Sequence, residues 1–210
     1  MTLIRTALAI LVTLSLGGCA AISSLTGATT TLQAYELQAP VDLPAVQGSV
    51  RRDLVIEVPT SGGALDTDRS MIRPGPFQAQ YLPAARWTDP APVMLQNLML
   101  RAFEDSNALR YVGRRPLGGT GDFVLVSELT DFQAEVGADE AGVITRVRLT
   151  VRLVRESDAA IIASRTIQTT APAASSDVLD VVAGFDLATA AALQDLTGWA
   201  LRLMGGRVSG

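Results

Sequence analysis

The sequence predicts an α/β fold: a mixed, largely antiparallel sheet of about five or six strands with at least two helices packed on it. An α+β arrangement is the close alternative. Three observations carry this. Val143 to Val154 alternates without interruption, with Val147, Leu149, Val151 and Leu153 on one side. Residues 91–106 instead set Leu95, Leu98, Met99, Ala102 and Phe103 at helical spacing. A second helical pattern starts near Ser176-Asp177 and runs to Met204, with Gly205-Gly206 to stop it and Gly184 as a point of interruption.

The chain opens with Arg5 and an apolar run from Ala7 to Leu16. That run is about ten residues long, too short to span a bilayer, which takes roughly 20. It has the proportions of a secretory signal. Leu16-Gly17-Gly18-Cys19 follows, holding the single cysteine of the chain, and resembles the lipobox of bacterial lipoproteins. The resemblance implies cleavage between Gly18 and Cys19 and acylation of the Cys19 thiol. Each buried CH₂ contributes about 0.8 kcal/mol, so two or three acyl chains hold firmly. Ala20, where Asp would signal retention at the inner membrane, implies transfer to the outer membrane of a Gram-negative envelope.

Residues 19–34 are small and polar and read as a lipidated N-terminus and flexible tether, with a coil span of about 20 Å. Residues 35–204 read as one domain and 205–210 as a tail. Within the domain, Tyr35-Glu36-Leu37 predicts a brief first strand closed by Pro40. Arg52 to Val58 predicts a second, ended by Pro59 and Ser61-Gly62-Gly63. A further strand is expected around Ser70 to Ile72. Gly75-Pro76 turns the chain, and Phe77 to Leu82 extends again. Pro90 suits the first position of the helix that follows, with Thr88 or Asp89 as its cap and Ser106-Asn107 as its end. Phe123 to Val136 and Val143 to Val154 predict two long strands joined by a turn from Gly137-Ala138-Asp139 to Gly142. Ala160 to Thr170 is a third, after a turn at Ser157-Asp158.

Composition narrows the chemistry. The chain has 210 residues, a net charge of −4 and a mean hydropathy of +0.29, and this acidity argues against nucleic acid as a partner. All 17 basic residues are arginine, and there is no histidine. That leaves no Ser-His-Asp triad, no usual zinc site and no histidine pH switch. With Cys19 acylated, no thiol remains for a disulfide or a nucleophile. Asp66, Asp68 and Asp89 form no carboxylate pair suited to acid–base work. The expectation is a non-enzymatic protein with no catalytic residues, cofactor or metal.

A short strand after a lipobox, then Leu54-Val55-Ile56-Glu57-Val58-Pro59, then Tyr81…Trp87-x-x-Pro90 opening a helix, resembles the ABC-type transport auxiliary lipoproteins, the PqiC-like family. The resemblance spans nearly all of residues 14–204. Met71-Ile72-Arg73-Pro74-Gly75-Pro76 and the Arg114-Arg115 pair before Gly118-Gly119 depart from it. Members are accessory lipoproteins of intermembrane lipid transport, working beside a permease, an ATPase and a substrate-binding MCE protein. The resemblance therefore implies an MCE-type subunit as partner, through it a permease–ATPase complex, and the membrane through the anchor. It is compatible with a homo-oligomer. No G-x-x-x-x-G-K-[ST] loop and no second long apolar span occur, so ATPase and permease roles are not expected here.

Two patches suggest contacts. Arg146, Arg148 and Arg152 share one face of the alternating strand and suit phosphates or an acidic partner. The plainer reading is a solvated face paired with Glu128 or Glu135. Tyr81 and Trp87 frame the start of the first helix, as core or as the rim of a docking surface. The favoured function is an outer-membrane-anchored, periplasmic docking or bridging subunit. A structural envelope lipoprotein or outer-membrane assembly factor is the alternative, and a carboxylate hydrolase a distant third.

Overall fold

The computed structural model describes residues 32–119, 121–137 and 142–208. The expected signal, Gly18 and Cys19, the tether up to residue 31, and Ala138 and Asp139 of the expected turn lie outside the described residues.

Among the described residues, eleven strands and two helices follow in order: β1 (Gln33–Tyr35), β2 (Val46–Gln47), β3 (Val50–Ile56), β4 (Thr60–Ser61), β5 (Arg69–Arg73), β6 (Gln80–Trp87), α1 (Ala91–Asp105), β7 (Leu109–Gly113), β8 (Phe123–Val136), β9 (Val143–Arg155), β10 (Ala160–Ala173), α2 (Val178–Leu203) and β11 (Arg207–Val208). Nine strands form one mixed sheet, and β2 pairs with β11 in a separate two-residue ladder. This corrects the expected five or six strands. The sheet strands that were not expected, β4 and β7, have two and five residues. Alternation over so few positions is not a readable signal.

The sheet is assembled on β8. One edge of this 14-residue strand pairs antiparallel with β9 along its whole length, and β9 pairs antiparallel with β10. The other edge receives three strands in succession, all parallel: β3 against Phe123 to Leu125, β4 against Glu128 and Leu129, and β5 against Gln133 to Glu135. β7 adds to β3, while β6 and then β1 add to β5. A bulge at Thr130 sets the phase of β8. Leu129 faces Leu149, but the next pair is Asp131 with Arg148, so one residue is extra. Before the bulge the odd residues Phe123, Leu125 and Leu129 are buried; after it, the even residues Phe132 and Ala134 are. A one-residue offset in a strand exchanges its faces.

Both helices cover the face lined by Val147, Leu149, Val151 and Leu153. α1 packs on β3 and β7, α2 on β9 and β10, and the helices touch each other. Pro90 is the N-cap of α1, and neither Thr88 nor Asp89 caps it, because no side chain bonds the first turn. Ser106 ends the helix as expected and Asn107 takes φ +50°. Gly184 does not interrupt α2. It sits where an added Cβ would come within 3.0 Å of Thr145 Cγ2, so its role is close approach of helix to sheet. Gly205, at φ +99°, ends α2 while Gly206 N–H donates to Leu201 O at 2.8 Å, satisfying a terminal carbonyl. Phe77 is not in a strand; β6 begins at Gln80.

At the centre Trp87, Phe132 and Phe185 bring β6, β8 and α2 together, with ring centroids 4.8 to 5.7 Å apart. All three are buried. Phe185→Ala removes the ring that joins helix to sheet and is expected to destabilise by about 3–5 kcal/mol in urea unfolding. A loss under about 1 kcal/mol would show that this cluster does not hold α2.

Candidate interaction face

With both helices on one side, the outward residues of β8, β9 and β10 form an open face. Strict alternation on β9 puts Ile144, Arg146, Arg148, Thr150, Arg152 and Val154 there. Across the ladders, Arg146 lies between Gln133 and Thr170, Arg148 between Asp131 and Gln168, and Arg152 between Val126 and Ser164.

The three arginines are not equivalent. Arg146 is half-buried and committed: its Nε and Nη2 donate to Glu135 Oε1 and Oε2 at 3.0 and 2.9 Å. This fork holds the Glu135 carboxyl below the usual glutamate range, with further help from Gln133 and Arg73 against some desolvation. Arg148 and Arg152 make no ion pair within 4.0 Å among the described residues. Their neighbourhood is not purely positive, because Asp131 stands opposite Arg148 and Glu128 opposite Thr150. The face therefore carries alternating rows of carboxylates on β8 and guanidinium groups on β9. Thr150 and Thr166 hydroxyls, 3.3 Å apart, link β9 to β10 between Arg148 and Arg152.

Tyr81 and Trp87 do not share a surface. Tyr81 is exposed, donates to Ala64 O at 3.2 Å and lies under the Arg69 guanidinium, 5.3 Å from the ring centre. Trp87 is 1% exposed and belongs to the aromatic centre. Burial on β6 changes phase between Leu82 and Ala85, which turns Trp87 inward.

A second charged cluster lies at the far end of the sheet and was not singled out by sequence reasoning. Arg110 Nε donates to Asp53 Oδ1 at 2.7 Å, and Arg110 and Arg52 each reach Asp122 at 3.2 Å. Asp122 Oδ2 also accepts the Asp53 backbone N–H at 2.9 Å. The bond from Arg110 keeps the Asp53 carboxyl below its ordinary range. Arg155 does the same for Asp158. Arg52, Asp53, Arg110 and Asp122 are scattered over β3, β7 and the residue before β8, so only the register of the parallel ladders brings them together. A general acid needs a raised carboxyl pKa; here arginines hold three carboxylates as anions. Among the described residues no group of acidic side chains is arranged to hold a metal ion, and no helix is long and apolar enough to cross a membrane.

Glu135→Gln tests the pair at the rim of the open face. Both side chains are about one-third exposed, so the expected loss at neutral pH is about 0.5–1 kcal/mol. Because the folded pKa of Glu135 is depressed, this stability is present above the unfolded value of about 4.3 and disappears as pH falls through the lower folded value. Wild type and variant should therefore converge in acid melts. A gap that persists at the lowest pH would assign the effect to packing.

Comparisons with known proteins agree with this architecture. A family model described as the ABC-type transport auxiliary lipoprotein component matches residues 35–197. Protein XCC0632 of Xanthomonas campestris, described as belonging to family DUF330, is 28% identical in its crystal structure. The alignment covers 81% of this chain and 96% of that one, with a TM-score of 0.75. Protein CT253 of Chlamydia trachomatis shares the fold alone, at 8% identity and a TM-score of 0.51 over 74% of this chain and 98% of its own. Among curated sequences, Bradyrhizobium diazoefficiens protein bll6063 is 26% identical over 168 residues, which is 79% of this chain. The match spans only 44% of that relative's length.

Proposed function

The chain belongs to the ABC-type transport auxiliary lipoprotein component family, and from that premise we propose that it is a non-enzymatic docking or bridging subunit of an MCE-associated intermembrane lipid transport system. In this reading Cys19 carries the lipid, the domain faces the periplasm from the outer membrane, and the open face of β8, β9 and β10 receives the MCE-type subunit. Through that subunit the protein joins the permease–ATPase complex.

The observation that carries the reading is the one-sided sheet. Three long strands present a rigid face while both helices pack behind it. On that face Arg148 and Arg152 retain guanidinium groups without an ion-pair partner among the described residues. An arginine desolvated against a partner carboxylate can cost about 2–5 kcal/mol when truncated, whereas an exposed one contributes little to folding. A bridging role also asks for no chemistry, in keeping with carboxylates neutralised by arginine and a chain without histidine.

The double variant Arg148→Gln/Arg152→Gln is expected to melt within about 0.5 kcal/mol of wild type. Its co-purification with the MCE-type subunit should fall, and wild-type association should weaken with added salt, since exposed charges are screened. Arg146→Gln, by contrast, should lower stability through Glu135. Undiminished co-purification of the double variant would move the interface off this face. Absence of any MCE-type subunit with the wild-type protein would favour a structural envelope role.

A further inference from the structure

The loop after β5 holds the most exposed large apolar side chain among the described residues. Phe77 is 100% exposed. It occupies the tip of a turn closed by Gln78 N–H donating to Gly75 O at 3.1 Å. Pro76 stands in the second position of that turn, where a fixed φ near −65° suits it, and Pro74 restrains the residue before. The aromatic ring is thus held out on a stiff support. Beside it lies a groove lined by Arg73, Pro74, Gly75, Pro76, Glu135 and Val136.

Topology decides what this tip faces. β5 ends at Arg73 and, running parallel to it, β8 ends near Val136, so loop and strand end share one end of the sheet. Ile144 at the start of β9 and Leu179 at the start of α2 are exposed at the same end, since Ala173, which leads into α2, pairs with Val143. β1 runs parallel to β6, whose first residue Gln80 follows the Phe77 turn. β1 pairs with Ala85 to Trp87, the last residues of β6, so its N-terminal end starts beside the far part of β6 and is directed back toward the Phe77 end. Leu32 follows Cys19 by 13 positions, a length of chain that spans at most about 45 Å.

We propose that this end of the sheet, with Phe77 at its tip, is a membrane-contacting surface that seats the domain on the lipid bilayer carrying its anchor. The inference rests on the reading that Cys19 is lipidated. One aromatic tip adds little affinity alone, but a tethered domain meets the surface at high effective concentration. A second weak apolar contact then fixes orientation. An orientation with this end down raises Arg148 and Arg152, further along β9, away from the headgroups, toward the periplasm.

The test uses the full chain, lipidated in cells and reconstituted into phosphatidylethanolamine–phosphatidylglycerol vesicles, with or without brominated acyl chains. Phe77→Trp is compared with Leu117→Trp, because Leu117 is 78% exposed in the loop that precedes β8, at the opposite end of the sheet. Emission beyond that of native Trp87 and Trp199 should shift to the blue and be largely lost to bromine quenching for Phe77→Trp. It should remain unquenched for Leu117→Trp. Thermal melts show that both variants are folded. Equal quenching at the two sites, or none at either while the protein still floats with vesicles, overturns the membrane seat and leaves the anchor standing. Flotation that does not depend on Cys19, judged with Cys19→Ser, or no flotation at all, instead overturns the lipidation on which the seat rests.

Discussion

The domain depends on the hydrogen-bonded edges of β8. Three strands, β3, β4 and β5, join the sheet because successive parts of β8 accept them; β4 has no other partner in the sheet, whereas β3 also pairs with β7 and β5 with β6. The opposite edge carries β9 and β10, which together form the platform for α2. The extra residue at Thr130 is what reconciles the two halves. Without it Asp131 and Glu135 would turn toward the helices and Phe132 toward solvent, separating Phe132 from Trp87 and Phe185. Burying carboxylates there would cost several kcal/mol each, since nothing in the core pairs with them.

The same phase explains the asymmetry of the charged residues. Every arginine of the outer face of β9 looks away from the helices, because Val147, Leu149, Val151 and Leu153 claim the other side. Carboxylates of β8 emerge beside them after the bulge. Glu135 captures Arg146, while Arg148 and Arg152 have no ion pair within 4.0 Å among the described residues. At the other end of β8, Asp122 ties Arg52, Arg110 and the Asp53 amide into a lock between β3, β7 and the start of β8. That lock stabilises the parallel insertions, which short ladders alone hold weakly.

Much of this was legible in the sequence where periodicity runs long. β8, β9, β10 and both helices emerge close to their expected spans, because each runs for 13 or more residues. The arginine face and its possible partner Glu135 follow from alternation on neighbouring strands. β4 and β7 were not legible; β4 has only two residues and is a strand solely by virtue of Glu128 and Leu129 opposite. Gly184 signals a break in isolation and a close contact in context, because only the fold brings Thr145 beneath it. Trp87 reads more readily as core than as rim, and the change of phase on β6 turns it inward. The Asp53–Arg110–Asp122 cluster joins residues up to 69 positions apart and has no local signature.

The central claim is that a transport partner binds the open face of the sheet while the helix face stays free. A photoreactive residue at Gln168, exposed and opposite Arg148, should crosslink in cells to the MCE-type subunit. The same residue at Leu187, exposed on α2, should give no such adduct. An MCE-type adduct from Leu187 but not from Gln168, or from neither, would contradict the account.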